Sequence, residues 1–241
     1  MAASLVASSF AHVYTTSTST VTLGAAVQVG DVICVAASGQ GDNNPACTCS
    51  DGLGNTYTLQ QASVNDVGGA VQLVVFTAPV TVAGTPVIAV VGIDSDVGLS
   101  AVAFRGLASA TPDKKGENHA NADPLSVSLS PSVTSMLFVA YANQVSNIFS
   151  AWLLSATPLG LDTDHIDGQA YLLSQAAGTY AAGVDLSAGS YNDAMVAIWL
   201  PEGAAASAAL TGTAAAGITE ADIVTGGKTI ILTLTGGTFI A

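Results

Sequence analysis

Apolar residues along this chain recur in short runs rather than in helical steps. The stretch "VTLGAAVQVGDVICVAASGQG" reads as two strands joined through Gly30-Asp31, and "GNTYTLQQASV" alternates Thr56 and Thr58 with Tyr57 and Leu59. "AVQLVVFTAPV" reads as a buried strand closed by Pro79, and "GTPVIAVVGI" and "LSAVAFRGL" follow it. The runs are rich in Val, Thr and aromatic residues and are bounded by Gly, Asp, Asn or Pro. No stretch keeps the i, i+3, i+4, i+7 spacing of an amphipathic helix for three turns. The pattern predicts strands from Val21 to Leu200 and almost no helix.

The scheme then repeats. "TSMLFVAYANQ" answers "GDVICVAASGQ", "AYLLSQAAGTYAAGVDL" answers "VVFTAPVTVAGTPVIAV", and "NDAMVAIWLPEG" answers "GLSAVAFRGL". Two similar sets of strands predict two sheets that bury their apolar faces against each other. The expectation is a β-sandwich of jelly-roll or Ig-like type with internal pseudo-symmetry, over residues 1–201. Between the halves, "ASATPDKKGENHANADPLS" is the most polar segment and reads as a long surface connection. After Pro201 the composition turns to Ala and Gly. In the segment 202–241, Ile230, Leu232 and Leu234 alternate with Thr229, Ile231, Thr233 and Thr235. Gly226-Gly227 supplies a two-residue turn, so the tail reads as a small β-hairpin unit. A lone hairpin is too small to be stable by itself, so it must dock on the sandwich or on another subunit.

Composition narrows the function classes. Half of the 241 residues are hydrophobic and only 9% are charged, against about 25% in ordinary soluble domains. Disorder is excluded, since disordered chains are polar and charged. No run approaches the roughly 20 apolar residues of a membrane-spanning helix. So few charges suit a subunit whose surface is covered by neighbours. The formal charge is −13, with only Arg105, Lys114, Lys115 and Lys228 as cations. That excludes a nucleic-acid grip, which needs clustered Lys and Arg, and docking on an anionic membrane. The start "MAASLVASSFAHVYTT" lacks the basic and continuous apolar regions of a secretion signal. The expected setting is therefore an assembly built in a host cytoplasm.

The segments "GDVICVAAS", "DGLGNTYTL", "VVFTAPVTVAGTPVIAV" and "AVAFRGL" resemble a β-sandwich domain that recurs in bacterial and phage proteins. The tail "ALTGTAAAGITEADIVTGGKTIILTLTGGTFIA" resembles a C-terminal segment of phage structural proteins. Neither segment is a catalytic signature. The resemblance implies a place in the virion, without saying which component.

Candidate chemistry is sparse. Asp162, Asp164, His165 and Asp167 form the densest acidic cluster, but one residue too many precedes Asp167 for an EF-hand calcium loop. Asp42-Asn43-Asn44-Pro45, Asp51 to Asn55, and Asp94 with Asp96 are turn chemistry. Cys34, Cys47 and Cys49 are too few for a zinc site without a second ligand pair nearby. His12, His119 and His165 are scattered, and no G-x-S-x-G elbow marks a nucleophile. Glu117, Glu202 and Glu220 lie in polar segments, poorly placed for a glycosidase pair. Trp199 and Tyr171 fall in apolar strands, while Trp152, with Tyr141, is a candidate for sugar stacking. The resulting expectation names no catalytic, cofactor-binding or metal residue and no cofactor. It is a non-enzymatic phage structural protein, capsid-associated or decorating, that contacts other virion proteins and its own copies through residues 202–241. The alternative is a tail, fibre or surface adhesin that binds a host glycan.

Overall fold

A computed structural model describes residues 2–13, 18–40, 47–65, 71–93, 97–120, 122–143, 149–161, 167–186 and 192–203. The strands of the first half are β1 (Ser4–Val13), β2 (Thr18–Thr22), β3 (Val32–Gln40), β4 (Thr48–Asp51), β5 (Thr58–Asn65), β6 (Val71–Pro79), β7 (Val87–Val91) and β8 (Val97–Arg105). Those of the second are β9 (Lys114–Asn118), β10 (Leu125–Leu129), β11 (Ser135–Ala142), β12 (Phe149–Trp152), β13 (Thr157–Leu161), β14 (Asp167–Gln175), β15 (Tyr180–Leu186) and β16 (Ala194–Pro201). A single 3-10 turn, Leu153–Ser155, interrupts them among the described residues. The protein is all-β, as the pattern predicts.

Each half folds as a five-stranded and a three-stranded antiparallel sheet. The first half has the orders β1-β8-β3-β6-β5 and β2-β7-β4. The second has β9-β16-β11-β14-β13 and β10-β15-β12, the same order strand for strand. The internal repeat is therefore one of topology, with β11 standing for β3 and β16 for β8. The arrangement nevertheless differs from one sheet per half. Each half is its own two-sheet sandwich, and the two five-stranded sheets pack back to back, giving four layers.

Three cores follow from that stacking. Ile33, Val35, Val74, Phe76, Ile88 and Leu99 fill the first sandwich. Leu137, Val139, Tyr141, Val184, Met195 and Trp199 fill the second. Val32, Cys34, Leu73, Phe104, Met136, Phe138, Ile198 and Leu200 fill the seam between them. The strands β6, β8, β11 and β16 are buried along nearly their whole length because both of their faces are covered. The outer strand β2 instead alternates exposed and buried positions.

The polar connection between the halves contains a strand. Lys114 to Asn118 form β9, which pairs with β16 from Trp199 to Met195 and closes the edge of the second large sheet. Its polarity reflects its edge position, where charged side chains blunt further pairing. Polar bonds also cross the seam. Ser63 donates to Glu117 at 2.8 Å, Asn65 donates to the Asp193 carbonyl at 3.2 Å, and the Ser38 hydroxyl bonds Asp167. The last described residues, Glu202 and Gly203, are tied into the fold: their amides donate to the Thr134 and Gly106 carbonyls at 3.0 and 2.7 Å.

Candidate functional site

The turn after β4 is organised by Asp51. One carboxylate oxygen accepts the amides of Leu53, Gly54 and Asn55, and the other accepts the Asn55 side chain and the Tyr57 hydroxyl. Asn55 in turn caps Thr81 and Val82 through its own oxygen. Burial alone would raise the Asp51 pKa, but the bonds from Asn55, Tyr57 and Leu53 outweigh it and hold the carboxyl below its ordinary value. A depressed carboxyl stabilises the fold above the unfolded-state pKa of about 3.9 and loses that contribution as pH falls through the folded value. Asp51→Asn is accordingly expected to cost stability at pH 7, and the gap from wild type should shrink below about pH 3.5. Urea midpoints at several pH values test this; a gap independent of pH refutes it. This cluster is satisfied by its own turn and is structural.

Among the described residues, one serine and one histidine meet at a carboxylate. His119 Nδ1 lies 2.9 Å from Glu117 Oε2, and Ser63 donates to that same oxygen at 2.8 Å. The carboxylate thus stands between serine and histidine, whereas an activated serine must donate to the base itself. Glu202 is spent on structure: it accepts the Ala3 amide at 3.2 Å and the amide and hydroxyl of Ser174. None of the three cysteines forms a disulfide. Burial pushes all three thiols up, Cys49 to about 12 with help from the Asp51 charge. Protonated thiols are poor nucleophiles and poor metal ligands.

Of the four aromatic residues weighed for sugar stacking, Trp152, Trp199, Tyr141 and Tyr171, none is fully displayed. Trp152 is only 8% exposed, contrary to the surface position its sequence context suggests, because its ring packs on Phe149 at 5.2 Å. Trp199 and Tyr141 are fully buried, and Tyr171 is half-buried against Phe104 at 5.4 Å. Tyr141 donates to Asp193 at 2.9 Å and receives Asn143 at 2.7 Å. Burial first, then the Asp193 charge, pushes its hydroxyl up, so it is a fixed donor inside the core.

Of the acidic cluster, Asp167 is held against Ser38 across the seam. Asp162, Asp164 and His165 lie outside the described residues, as do Asp42 to Pro45, Asp94, Asp96 and residues 204–241, where the hairpin is expected. Two open clefts are lined by the described residues. One, of about 370 Å³, lies over the Asp31–Arg105 pair with Val29, Gly106 and Gly203. There Arg105 bonds both Asp31 oxygens at 2.8 Å, and Asp31 also takes the Gln28 amide. The other, of about 330 Å³, is lined by Thr58, Gln60, Thr77 and Thr111. Gln60 donates its side-chain amide to the Thr77 hydroxyl, which in turn donates to the Ala110 carbonyl. Neither cleft presents converging groups poised for chemistry.

The outer face of the β2-β7-β4 sheet is the more informative surface. Thr18 lies opposite Val91, Thr20 opposite Ala89, and Thr22 opposite Val87. On the other flank Thr48 lies opposite Val91 and Ser50 opposite Ala89. Val87 and Val91 are 49% and 43% exposed. The result is a flat grid of methyl and hydroxyl groups without a formal charge, on a chain of net charge −13. The equivalent face of the second half carries Ser126, Ser128, Ala181, Gly183 and Ala151, with Asp185 as its charge. Sequence reasoning missed this face, although "TSTVT" beside "VIAVV" carries its signal. Comparison of the chain with family models, curated proteins and solved structures finds no match.

Proposed function

We propose that this chain is a non-enzymatic structural subunit of a phage particle, associated with the capsid as a decoration or reinforcing protein. The observation that carries the reading is the charge-free Thr/Val/Ala/Ser face of β2, β7 and β4. A free surface of this kind is unusual, because charged side chains normally keep a sheet face from associating. Covered by another protein, the same face has no charge to desolvate. Strand order lends support by analogy. The arrangement 1-8-3-6 opposite 2-7-4 in each half resembles an eight-stranded jelly roll, with the fifth strand on the other sheet. Jelly rolls recur in viral capsid and lectin domains, although a fold alone does not fix a function. The partners in this reading are other virion proteins and further copies of the chain, reached through the tail as well as this face.

The test is co-purification with empty heads. Full-length protein is expected to co-sediment with them, and a chain ending at Gly203 is expected to fold but to stay in the supernatant. Cutting after Gly203 keeps Glu202, whose carboxylate ties Ala3 to Ser174, so a change in Tm beyond about 2 °C is not expected. Undiminished binding by the truncated chain overturns the role given to the tail. Absence of binding by both forms overturns the capsid reading.

A further inference from the structure

The edges of the four sheets are not equally open to a further strand. β9 carries Lys114, Lys115 and Glu117, charges that guard an edge. β5 is shielded by that same strand, through Ser63 on Glu117 and the Lys115 ammonium on the Gln60 carbonyl. β13 contains Pro158 and an irregular register between Pro158 and Gly160. The edges of the small sheets, β2, β4, β10 and β12, are four or five residues long. β1 differs from all of these. It is ten residues long, pairs on one side only among the described residues, with β8, and contains no Lys, Arg, Asp, Glu or Pro. After a bulge near Val6, Ala7 to Val13 run in unbroken register with Ala103 to Val97. Leu5 beside that run is 40% exposed.

The chain supplies an occupant of matching length. Thr229 to Thr235 is a seven-residue alternating stretch, as long as the regular part of β1. Its root is close by, since Glu202 accepts the Ala3 amide at 3.2 Å, just before β1 begins. The 25 residues from 204 to 228 reach at most about 85 Å when extended. The regular part of β1 is only about 24 Å long, so that reach extends well past its own edge to that of an adjoining molecule.

We propose that Thr229 to Thr235 of one copy add as a strand to the free edge of β1 in a neighbouring copy. Main-chain hydrogen bonds give such a contact its affinity, and Ile230, Leu232 and Leu234 would lie together on one face of the added strand. The inference rests on the reading that the tail mediates assembly, and it names the surface the tail reaches.

Single-cysteine changes in the full-length chain test it. Ser9→Cys sits in β1, Thr233→Cys in the tail, and Ser150→Cys in β12 serves as the control edge. Equal amounts of the Ser9→Cys and Thr233→Cys proteins are mixed, assembled and oxidised. The expected result is a disulfide-linked dimer as the main oxidised species, absent from the mixture of Ser150→Cys with Thr233→Cys and from wild type. A second variant carrying both Ser9→Cys and Thr233→Cys reports the chain's own tail. Closure of that variant into a cross-linked monomer, with no dimer from the mixture, overturns the proposal. So does normal assembly without any cross-link at Ser9, which leaves the tail's role intact and places its contact elsewhere. If the chain ending at Gly203 assembles as well as wild type, the underlying reading fails, and the proposal falls with it.

Discussion

Gly98→Ala is expected to destabilise the protein by several kcal/mol, although it adds one methyl group. Gly98 lies on β8 opposite His12 of β1 and Ser38 of β3, with its open side toward the seam. A Cβ there would collide with Asp167 Oδ2 and stand 2.5 Å from its Cγ and 2.8 Å from the Ser38 hydroxyl oxygen. The two oxygens are side-chain ends, but both side chains are short and buried and have little room to move. Asp167 is short, buried, and rooted in β14 of the other half. Relief requires the carboxylate to swing away from Ser38 or the two large sheets to separate. Overpacking alone costs about 1–3 kcal/mol, and a buried carboxylate deprived of a partner costs more. Against a total stability of about 5–15 kcal/mol this is a large fraction. Urea denaturation measures it, and Asp167→Gly in the same chain should recover part of the loss through a favourable coupling. A change below about 0.5 kcal/mol, of the size seen at neutral surface positions, would mean that the sheets do not approach at Gly98 as described.

The same seam explains what the sequence did and did not disclose. Strand positions were legible because apolar runs ended by Gly, Pro and Asp have few other solutions, and the repeat of "GDVICVAASGQ" as "TSMLFVAYANQ" located β3 and β11 as equivalent strands. The four-layer stacking was legible in principle. β2 alternates as a one-sided strand should, whereas "SMLFVAYA" and "AMVAIWLP" do not alternate, because they are covered on both faces. Reading those runs as one buried sheet per half lost the small sheets that cover their other side. β9 was hidden for the opposite reason. "KKGEN" carries no apolar signal, and its strand conformation comes from pairing with β16, which local sequence does not encode. Pairings such as Arg105 with Asp31, or Ser38 with Asp167, join residues 74 and 129 positions apart and leave no local trace. Trp152, which follows "NIFSA", looked free, yet its burial is set by Phe149 and the core beneath β15.

Trp199→Ala is expected to be the most costly single truncation, and it asks whether the two halves unfold together. Trp199 is fully buried, with its ring 5.0 Å from that of Tyr180, and it sits on β16 opposite Leu137 of β11 and Lys114 of β9. Removing a buried Trp costs about 3–5 kcal/mol, because the cavity collapses only in part. For a chain of this size that corresponds to a fall in Tm on the order of 10 °C. The neighbours of Trp199 make the result informative. Ile198 and Leu200 point to the other side of the same strand, into the seam, beside Phe138 and Val75. A shift of β16 toward the cavity therefore withdraws side chains from the first half as well. Both tryptophans, Trp152 and Trp199, lie in the second half. In Trp152→Ala and in wild type, fluorescence reports the second half through Trp199, while far-UV circular dichroism reports strands of both. The two signals should change at one midpoint in wild type and in Trp152→Ala. In Trp199→Ala, Trp152 fluorescence and circular dichroism should again coincide, at a lower temperature. A circular dichroism curve that splits, with part of the strand signal surviving to the wild-type midpoint, would mean that the first sandwich stands without the second, and that the seam is an interface between separable domains.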